Sequence, residues 1–181
     1  MVYLHVPALD AGAQYADDFN RADGAIGGGW VGGTSAWLIA ANATRSGTAF
    51  SAYIVWPEPC ATQDQFSQAR ILNGGTSGYH GLMVRANLAA TTGVIGWCRT
   101  NGDWALGSTS LGFVRSGTIA APGASAIVRL EASGSTARLY VNGSLVDSIT
   151  VSESGAHVGM AGSNTNGPGG AMLDDWKGGD L

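Results

Sequence analysis

Hydrophobic residues recur at every second position over short runs, and glycine, asparagine or proline separates one run from the next. This period is typical of β-strands that bury one face. In the clearest run, residues 126–151, Val128 and Leu130 face one way, and Asn142-Gly143 favours a tight type I′ hairpin turn. No convincing amphipathic helix is present. Turns about every 8–12 residues therefore predict about a dozen short strands in two packed antiparallel sheets.

Two further runs are apolar on both faces, which is the pattern of strands that are buried at the centre of a sheet. They cover residues 81–85 and 93–98. Residues 100–103 follow as a polar loop before the apolar run 104–106, so this part of the chain predicts a hairpin.

The two ends of the chain match, because each places paired acids beside a large aromatic residue. Asp17-Asp18-Phe19 stands near the start and Asp174-Asp175-Trp176 near the finish. We expect the first and last strands to lie side by side, with the acids at the rim and the aromatic rings in the core. This arrangement predicts one closed domain from residue 15 to 181, preceded by an extended N-terminal arm, residues 1–14.

Charge and composition exclude several classes of function. The net charge is −4, the pI is near 5.1 and Lys177 is the single lysine, so we expect no nucleic-acid partner. No apolar run approaches the roughly 18 residues that span a bilayer, and the first residues do not read as a signal peptide, so we expect synthesis in a cytoplasm and no membrane insertion. Cys60 and Cys98 could form one disulfide or remain reduced.

Six segments taken together resemble the concanavalin-like jelly roll of legume lectins, laminin-G domains and laminarinase-type glucanases. In order and spacing they are similar to the laminin-G-like modules of bacterial surface proteins and of bacteriophage tail and capsid proteins. The segments are residues 18–24 with Trp30, then 81–85, 104–106, 129–132, 139–143 and 174–176. The resemblance implies an all-β, two-sheet antiparallel jelly-roll sandwich, and this fold hosts binding, catalysis and architecture alike.

Aromatic side chains beside amides and carboxylates are the usual elements of a carbohydrate site. The candidates in this chain are Trp56, Tyr79, Trp97, Asn101, Asp103 and Trp104. Most of the six tryptophans are expected to fill the core, with one or two exposed.

The resemblance also implies a structural calcium near the termini, as relatives with this fold often hold one there. Asp18, Asp23 and Asp174 are its candidate ligands, because carboxylate oxygens suit calcium. The alternative is that these acids cap turns through hydrogen bonds to nearby backbone amides. No cofactor is required on either interpretation.

Catalysis is not expected. The glucanase branch takes both carboxylates from a Glu-x-Asp-x-x-Glu run, and Glu58, Glu131 and Glu153, the three glutamates, form no such run. No nucleophile elbow is present either.

The leading hypothesis is a non-catalytic virion protein, either structural or adhesive, in a bacteriophage tail or on a capsid surface. Its arm, with the apolar residues Tyr3, Leu4 and Val6, would add to the sheet of a neighbouring copy or of another virion protein. Such a module can also bind a host-surface glycan. The alternatives are an extracellular, lectin-like carbohydrate-binding module and, less favoured, a glycoside hydrolase.

Overall fold

The computed structural model describes residues 13–47, 51–73, 78–163 and 172–181, and these form strands joined by turns, with one short 3-10 helix at Thr34–Ala36. In this part of the chain no helix is long and apolar enough to cross a membrane. The strands are β1 (Ala13–Asp17), β2 (Gly24–Ala25), β3 (Val31–Gly32), β4 (Trp37–Ala40), β5 (Ala43–Ser46), β6 (Ala52–Val55), β7 (Gln65–Asn73), β8 (Tyr79–Ala86), β9 (Val94–Cys98), β10 (Asp103–Ser108), β11 (Gly112–Thr118), β12 (Ile127–Ser133), β13 (Thr136–Val141), β14 (Ser144–Thr150), β15 (His157–Ser163) and β16 (Met172–Asp180).

These strands build two antiparallel sheets, as the sequence predicted. The nine-stranded sheet has the order β14-β13-β12-β7-β16-β5-β4-β2, and β1 also pairs with β16. The seven-stranded sheet has the order β11-β10-β9-β8-β15-β6-β3. The prediction of an all-β sandwich is confirmed. The predicted arm lies outside the described residues except for Ala13 and Gln14, which already belong to β1.

The first and last strands lie side by side, as expected from the matched ends. β1 pairs antiparallel with β16, and Asp17 lies opposite Trp176. The Asp17 carboxylate accepts hydrogen bonds from the Trp30 indole at 2.8 Å and from the Arg21 guanidinium at 2.7 Å. The Trp30 and Trp176 rings then pack edge to face, with their centroids 4.6 Å apart. The acidic, aromatic termini therefore close the sandwich through one shared cluster.

The main core fills the space between the sheets. On β12, Val128 and Leu130 are buried while Arg129 and Glu131 lie on the outer face, which confirms the predicted alternation. Asn142 and Gly143 both have positive φ, at 50° and 78°, as a type I′ turn requires. Cys60 and Cys98 are buried, free thiols, and burial raises the pKa of Cys60 to about 12 and that of Cys98 to about 11.

One buried arginine fastens an end of the sandwich. Arg85 stands where β8 bulges against β15, with a left-handed φ of 51°. Its guanidinium donates to the backbone carbonyls of Gln63 at 2.8 Å and Gly134 at 2.6 Å, which belong to different loops. The side chain is 5% exposed, and the carboxylate of Asp64 lies 3.9 Å away. These hydrogen bonds connect β8 with the two loops that contain Gln63 and Gly134.

Replacing Arg85 should therefore unfold the protein more easily. We expect Arg85→Met to lower the free energy of unfolding by about 2–4 kcal/mol, because it removes several hydrogen bonds that this buried, charged side chain donates to the backbone. Urea unfolding followed by circular dichroism measures this change. Arg138→Met on β13 is the control and should cost less than about 1 kcal/mol, because that half-buried arginine lies on an outer face. Equal losses in the two variants would contradict the role given to Arg85.

A buried histidine links the two sheets. The His80 ring on β8 accepts a hydrogen bond from the backbone N–H of Ser46 on β5 at 2.6 Å, and it packs edge to face on Trp37. Burial lowers the pKa of His80 from 6.5 to about 3, with the positive charge of Arg45 as a second cause. The folded protein thus keeps this ring neutral.

Acid should destabilise the fold through His80. Between pH 6.5 and 3, His80 is protonated in the unfolded chain but neutral in the folded chain. The free energy of unfolding therefore falls as the pH drops, by up to about 1.4 kcal/mol per pH unit. Urea midpoints measured between pH 7 and 4.5 check this, because most carboxyl groups stay ionised there. His80→Gln retains an acceptor for the Ser46 amide and should flatten the dependence. A slope unchanged in His80→Gln would refute the assignment.

Candidate functional site

The outer face of the seven-stranded sheet carries a second apolar cluster, although among the described residues no second sheet packs against that face. All eight residues of β8 are buried. Its residues Leu82 and Val84 belong to the main core, whereas Tyr79 and Met83 belong to the second cluster with Ile95 of β9 and Val55 of β6. This two-sided burial explains why β8 and β9 read as continuous apolar runs.

Four aromatic rings lie along this outer face, and we call them the aromatic row: Tyr53 of β6, Tyr79 of β8, Trp97 of β9 and Phe113 of β11. Tyr79 and Trp97 are nearly parallel, with ring centroids 5.7 Å apart. Phe113 stands perpendicular to both, at 5.3 Å from Tyr79 and 5.9 Å from Trp97. Phe113 is 44% exposed, and Tyr53 and Trp97 are partly exposed, so the row presents aromatic surface to solvent.

Small residues separate two members of the row. In the strand register, Trp97 lies opposite Gly81, Gly81 lies opposite Ala161, and Ala161 lies opposite Tyr53. A Cβ on Gly81 would stand 2.5 Å from the backbone oxygen of Gly96, so only glycine fits there. Gly81 and Ala161 therefore form a low surface, which we call the floor, between the rings of Trp97 and Tyr53.

A shallow groove extends the floor beyond Tyr53. It has a volume of about 470 Å³ and is lined by Gly32, Ser51, Tyr53 and residues 89–91. The Tyr79 hydroxyl donates a hydrogen bond to Ser51 at 3.1 Å, which joins the groove to the aromatic row. Burial raises the pKa of Tyr79 to about 12, so this hydroxyl remains a hydrogen-bond donor at neutral pH.

Polar groups gather at the other end of the row, on the loop between β9 and β10. The Arg99 guanidinium lies 5.0 Å from the centre of the Trp97 ring and donates to the carbonyl of Gly78. Asp103 lies 3.6 Å from Arg99 and accepts hydrogen bonds from the Asn101 amide at 2.9 Å and from Thr118. These hydrogen bonds lower the pKa of Asp103, with the Arg99 charge as a further cause. The pair is balanced in charge.

The structure thus brings together four of the six candidate carbohydrate residues, Tyr79, Trp97, Asn101 and Asp103. Trp104 is placed elsewhere, because it lies opposite Cys98 on β10 and points into the main core, where it is 8% exposed. Trp56 is also on the core side, where it packs against Trp30 at 5.4 Å and Trp176 at 5.8 Å. The residue list from sequence is corrected at these two positions.

Sequence reasoning missed three residues of this site. Tyr53 stands between Ala52 and Ile54, and the alternation of a strand would have placed its side chain on the opposite face from theirs. Phe113 stands on β11, which the sequence did not predict. Arg99 directly precedes the predicted hairpin loop, and the spacing Trp97-x-Arg99 would have placed it on the same face.

The three acids proposed to share a calcium do not come together. No cluster of three metal-ligating side chains exists among the residues that the structure describes. Asp18 accepts the backbone N–H of Asn20 at 3.0 Å, in the turn-capping role that was the alternative. Asp23 caps the N–H of Ala41, and Asp174 pairs with Arg70 at 2.5 Å. Each of the three acids is engaged in a separate contact, and a structural calcium in this protein stays a prediction.

Two of the three glutamates, Glu131 and Glu153, lack the surroundings that glycoside hydrolysis requires of its general acid. Glu131 pairs with Arg129 at 2.6 Å on the outer face of the other sheet. Glu153 accepts a hydrogen bond from Ser110 at 2.8 Å, and its hydrogen bonds lower its pKa although partial burial opposes them. A general acid for this reaction needs a raised pKa instead.

Comparison with known proteins establishes the fold. No protein-family model matches the chain, and no curated protein matches it in sequence. The carbohydrate-binding module CBM66 from Bacillus subtilis superposes with a TM-score of 0.61 at 13% identity, over 82% of this chain and 95% of that one. A Bacillus subtilis protein of unknown function with a galectin-like fold gives 0.61 at 11% identity, over 93% and 96%.

A third similar structure comes from a bacteriophage. It is the CBM2 module of the evolved Dit protein of Lactobacillus casei BL23 phage J-1, with a TM-score of 0.56 at 12% identity, over 92% of this chain and 94% of that module. At these identities the likeness concerns the fold alone. The chain has a concanavalin-like, galectin-like jelly-roll fold, as the sequence resemblance implied.

Proposed function

We propose that this chain is a non-catalytic glycan-binding module that serves as an adhesive or structural component of a bacteriophage particle. The single observation that carries the proposal is the aromatic row on the outer face of the seven-stranded sheet. Sugar rings present apolar C–H faces edged by hydroxyl groups, so they suit aromatic walls with amides and carboxylates at one end.

The charge of the site favours a neutral glycan. Arg99 and Asp103 oppose one another, and the remaining residues of the row and its floor are uncharged. An anionic polymer would find no unpaired cation there, and the chain as a whole is also acidic. Binding should therefore depend on ring stacking and hydrogen bonds rather than on long-range attraction.

The assignment to a virion is supported by the module of the phage J-1 Dit protein, which has the same fold and almost the same extent. An extracellular, lectin-like module outside any particle is the alternative, and CBM66 supports it equally in fold. Both interpretations use the same binding face. The surroundings of Glu131 and Glu153 support binding without hydrolysis, because neither glutamate is placed as a general acid.

Aromatic substitutions test the binding face. We expect Trp97→Ala and Phe113→Ala each to raise the dissociation constant for a neutral oligosaccharide, found on a glycan array, by about tenfold or more. Titration calorimetry gives the constants, and circular dichroism shows that each variant is folded. Phe113 is 44% exposed, so its removal should leave the fold intact even where loss of Trp97 does not.

Leu145→Ala is the matched control, because Leu145 is 56% exposed on β14 of the other sheet. It should bind as the parent does. Array binding that survives both aromatic substitutions would place the glycan site elsewhere. Release of shorter sugars from the bound glycan would overturn the non-catalytic assignment.

A further inference from the structure

The strand β11 is an unprotected sheet edge. All seven of its residues, Gly112–Thr118, are exposed, and within the described part of the chain it pairs only with β10. An edge strand presents unpaired N–H and C=O groups along one side, which makes it a template for another strand. The edge strands β2 and β3 contain two residues each, and β14, the other seven-residue edge strand, is only partly exposed at four of its residues, whereas β11 is exposed along its whole length.

The surface around this edge is apolar. Leu111, Phe113 and Val114 are 64%, 44% and 47% exposed. These are three of the six large hydrophobic side chains that are exposed among the described residues. Exposed apolar groups concentrated on one side of a molecule mark an interaction surface.

Natural proteins usually protect such an edge with lysine, proline or an unpaired charge. β11 contains neither lysine nor proline, and the one β-bulge in it, at Val114, leaves its pairing with β10 in place on both sides. Its one charged residue, Arg115, extends toward the other sheet, where its guanidinium lies 3.4 Å from the Asp147 carboxylate. That charge is therefore already paired and does not deter an incoming strand.

The chain contains a segment with the chemistry to fill this edge. Residues 1–12 precede β1 and lie outside the described part, and their sequence is MVYLHVPALDAG. Residues 2–6, Val-Tyr-Leu-His-Val, are uncharged at neutral pH and favour β-structure. Pro7 would end the pairing, because proline has no N–H to donate.

The length of the segment before β1 indicates whether residues 2–6 meet β11 of their own molecule or of another copy. Five inter-strand steps of about 4.8 Å separate β1 from β14, so β1 lies about 24 Å from that side of the molecule. Because β11 stands in the other sheet, about a further 10 Å must be crossed. Residues 7–12 span at most about 20 Å when extended, which is less than this separation, so the length of the segment favours β11 of a neighbouring copy.

We propose that residues 2–6 of one copy add as a strand to β11 of a neighbouring copy. Strand addition would satisfy the open backbone groups of the edge and cover the exposed side chain of Val114. The contact is head-to-tail, since a donor arm meets a different surface on its partner, so it builds a ring or an extended array rather than a symmetric pair. The inference is independent of glycan binding.

Sedimentation velocity across a concentration series tests the proposal with full-length variants. Leu4→Pro removes strand character from the donor arm, and Val114→Lys places a charge on the acceptor edge. We expect the parent to self-associate and each variant to raise the dissociation constant by about tenfold or more. Leu145→Lys is the control on the edge of β14, and it should assemble as the parent does.

Mixing the two defective variants is the sharper test. Leu4→Pro keeps an intact β11 and Val114→Lys keeps an intact arm, so an equal mixture should form heterodimers, although each variant alone stays monomeric. Assembly of Leu4→Pro alone, abolished by Val114→Lys, would show that two β11 edges pair with one another and would overturn the arm. A monomeric parent, or assembly lost only in Leu145→Lys, would also overturn the proposal.

Discussion

The structure depends on a seven-stranded sheet that is apolar on both faces. One face packs on the nine-stranded sheet and forms the main core, and the other bears Tyr79, Met83, Ile95 and Val55, over which the described part of the chain places no second sheet. Burial of apolar surface drives folding, so a strand such as β8 gains stability from both sides. The outer cluster then keeps aromatic rings at its margin, and these rings form the candidate binding face.

The nine-stranded sheet contains the paired first and last strands, and its outer face carries polar residues such as Arg129 and Glu131. The pairing of β1 with β16 sets Asp17, Trp30 and Trp176 in one cluster, so the acids near the start serve the fold. Hydrogen bonds and the Arg21 charge hold the pKa of Asp17 below its usual value although partial burial opposes them. Because β1 and β16 pair in the nine-stranded sheet, the aromatic row lies on a sheet that contains neither of these two strands.

Patterns of burial could be predicted from the sequence, but strand register could not. Val128 and Leu130 alternate with polar neighbours, so their strand and its buried face were evident. Trp97 and Trp104 flank one predicted hairpin, and only the pairing of Trp97 with Ala105 reveals that the two rings face opposite sides. β11 was missed because every residue in it is exposed, so no alternation marks it. Phe113 was missed with it.

The central claim is that glycans bind over the aromatic row. Its most direct test is a two-dimensional NMR spectrum of the six tryptophan indole N–H groups during titration with the oligosaccharide that binds tightest on an array. The account predicts a large shift of the Trp97 signal, with the core residues Trp37 and Trp176 nearly unchanged. Shifts confined to Trp30 or Trp56, with Trp97 constant, would contradict it, because those rings belong to the opposite face of the sheet.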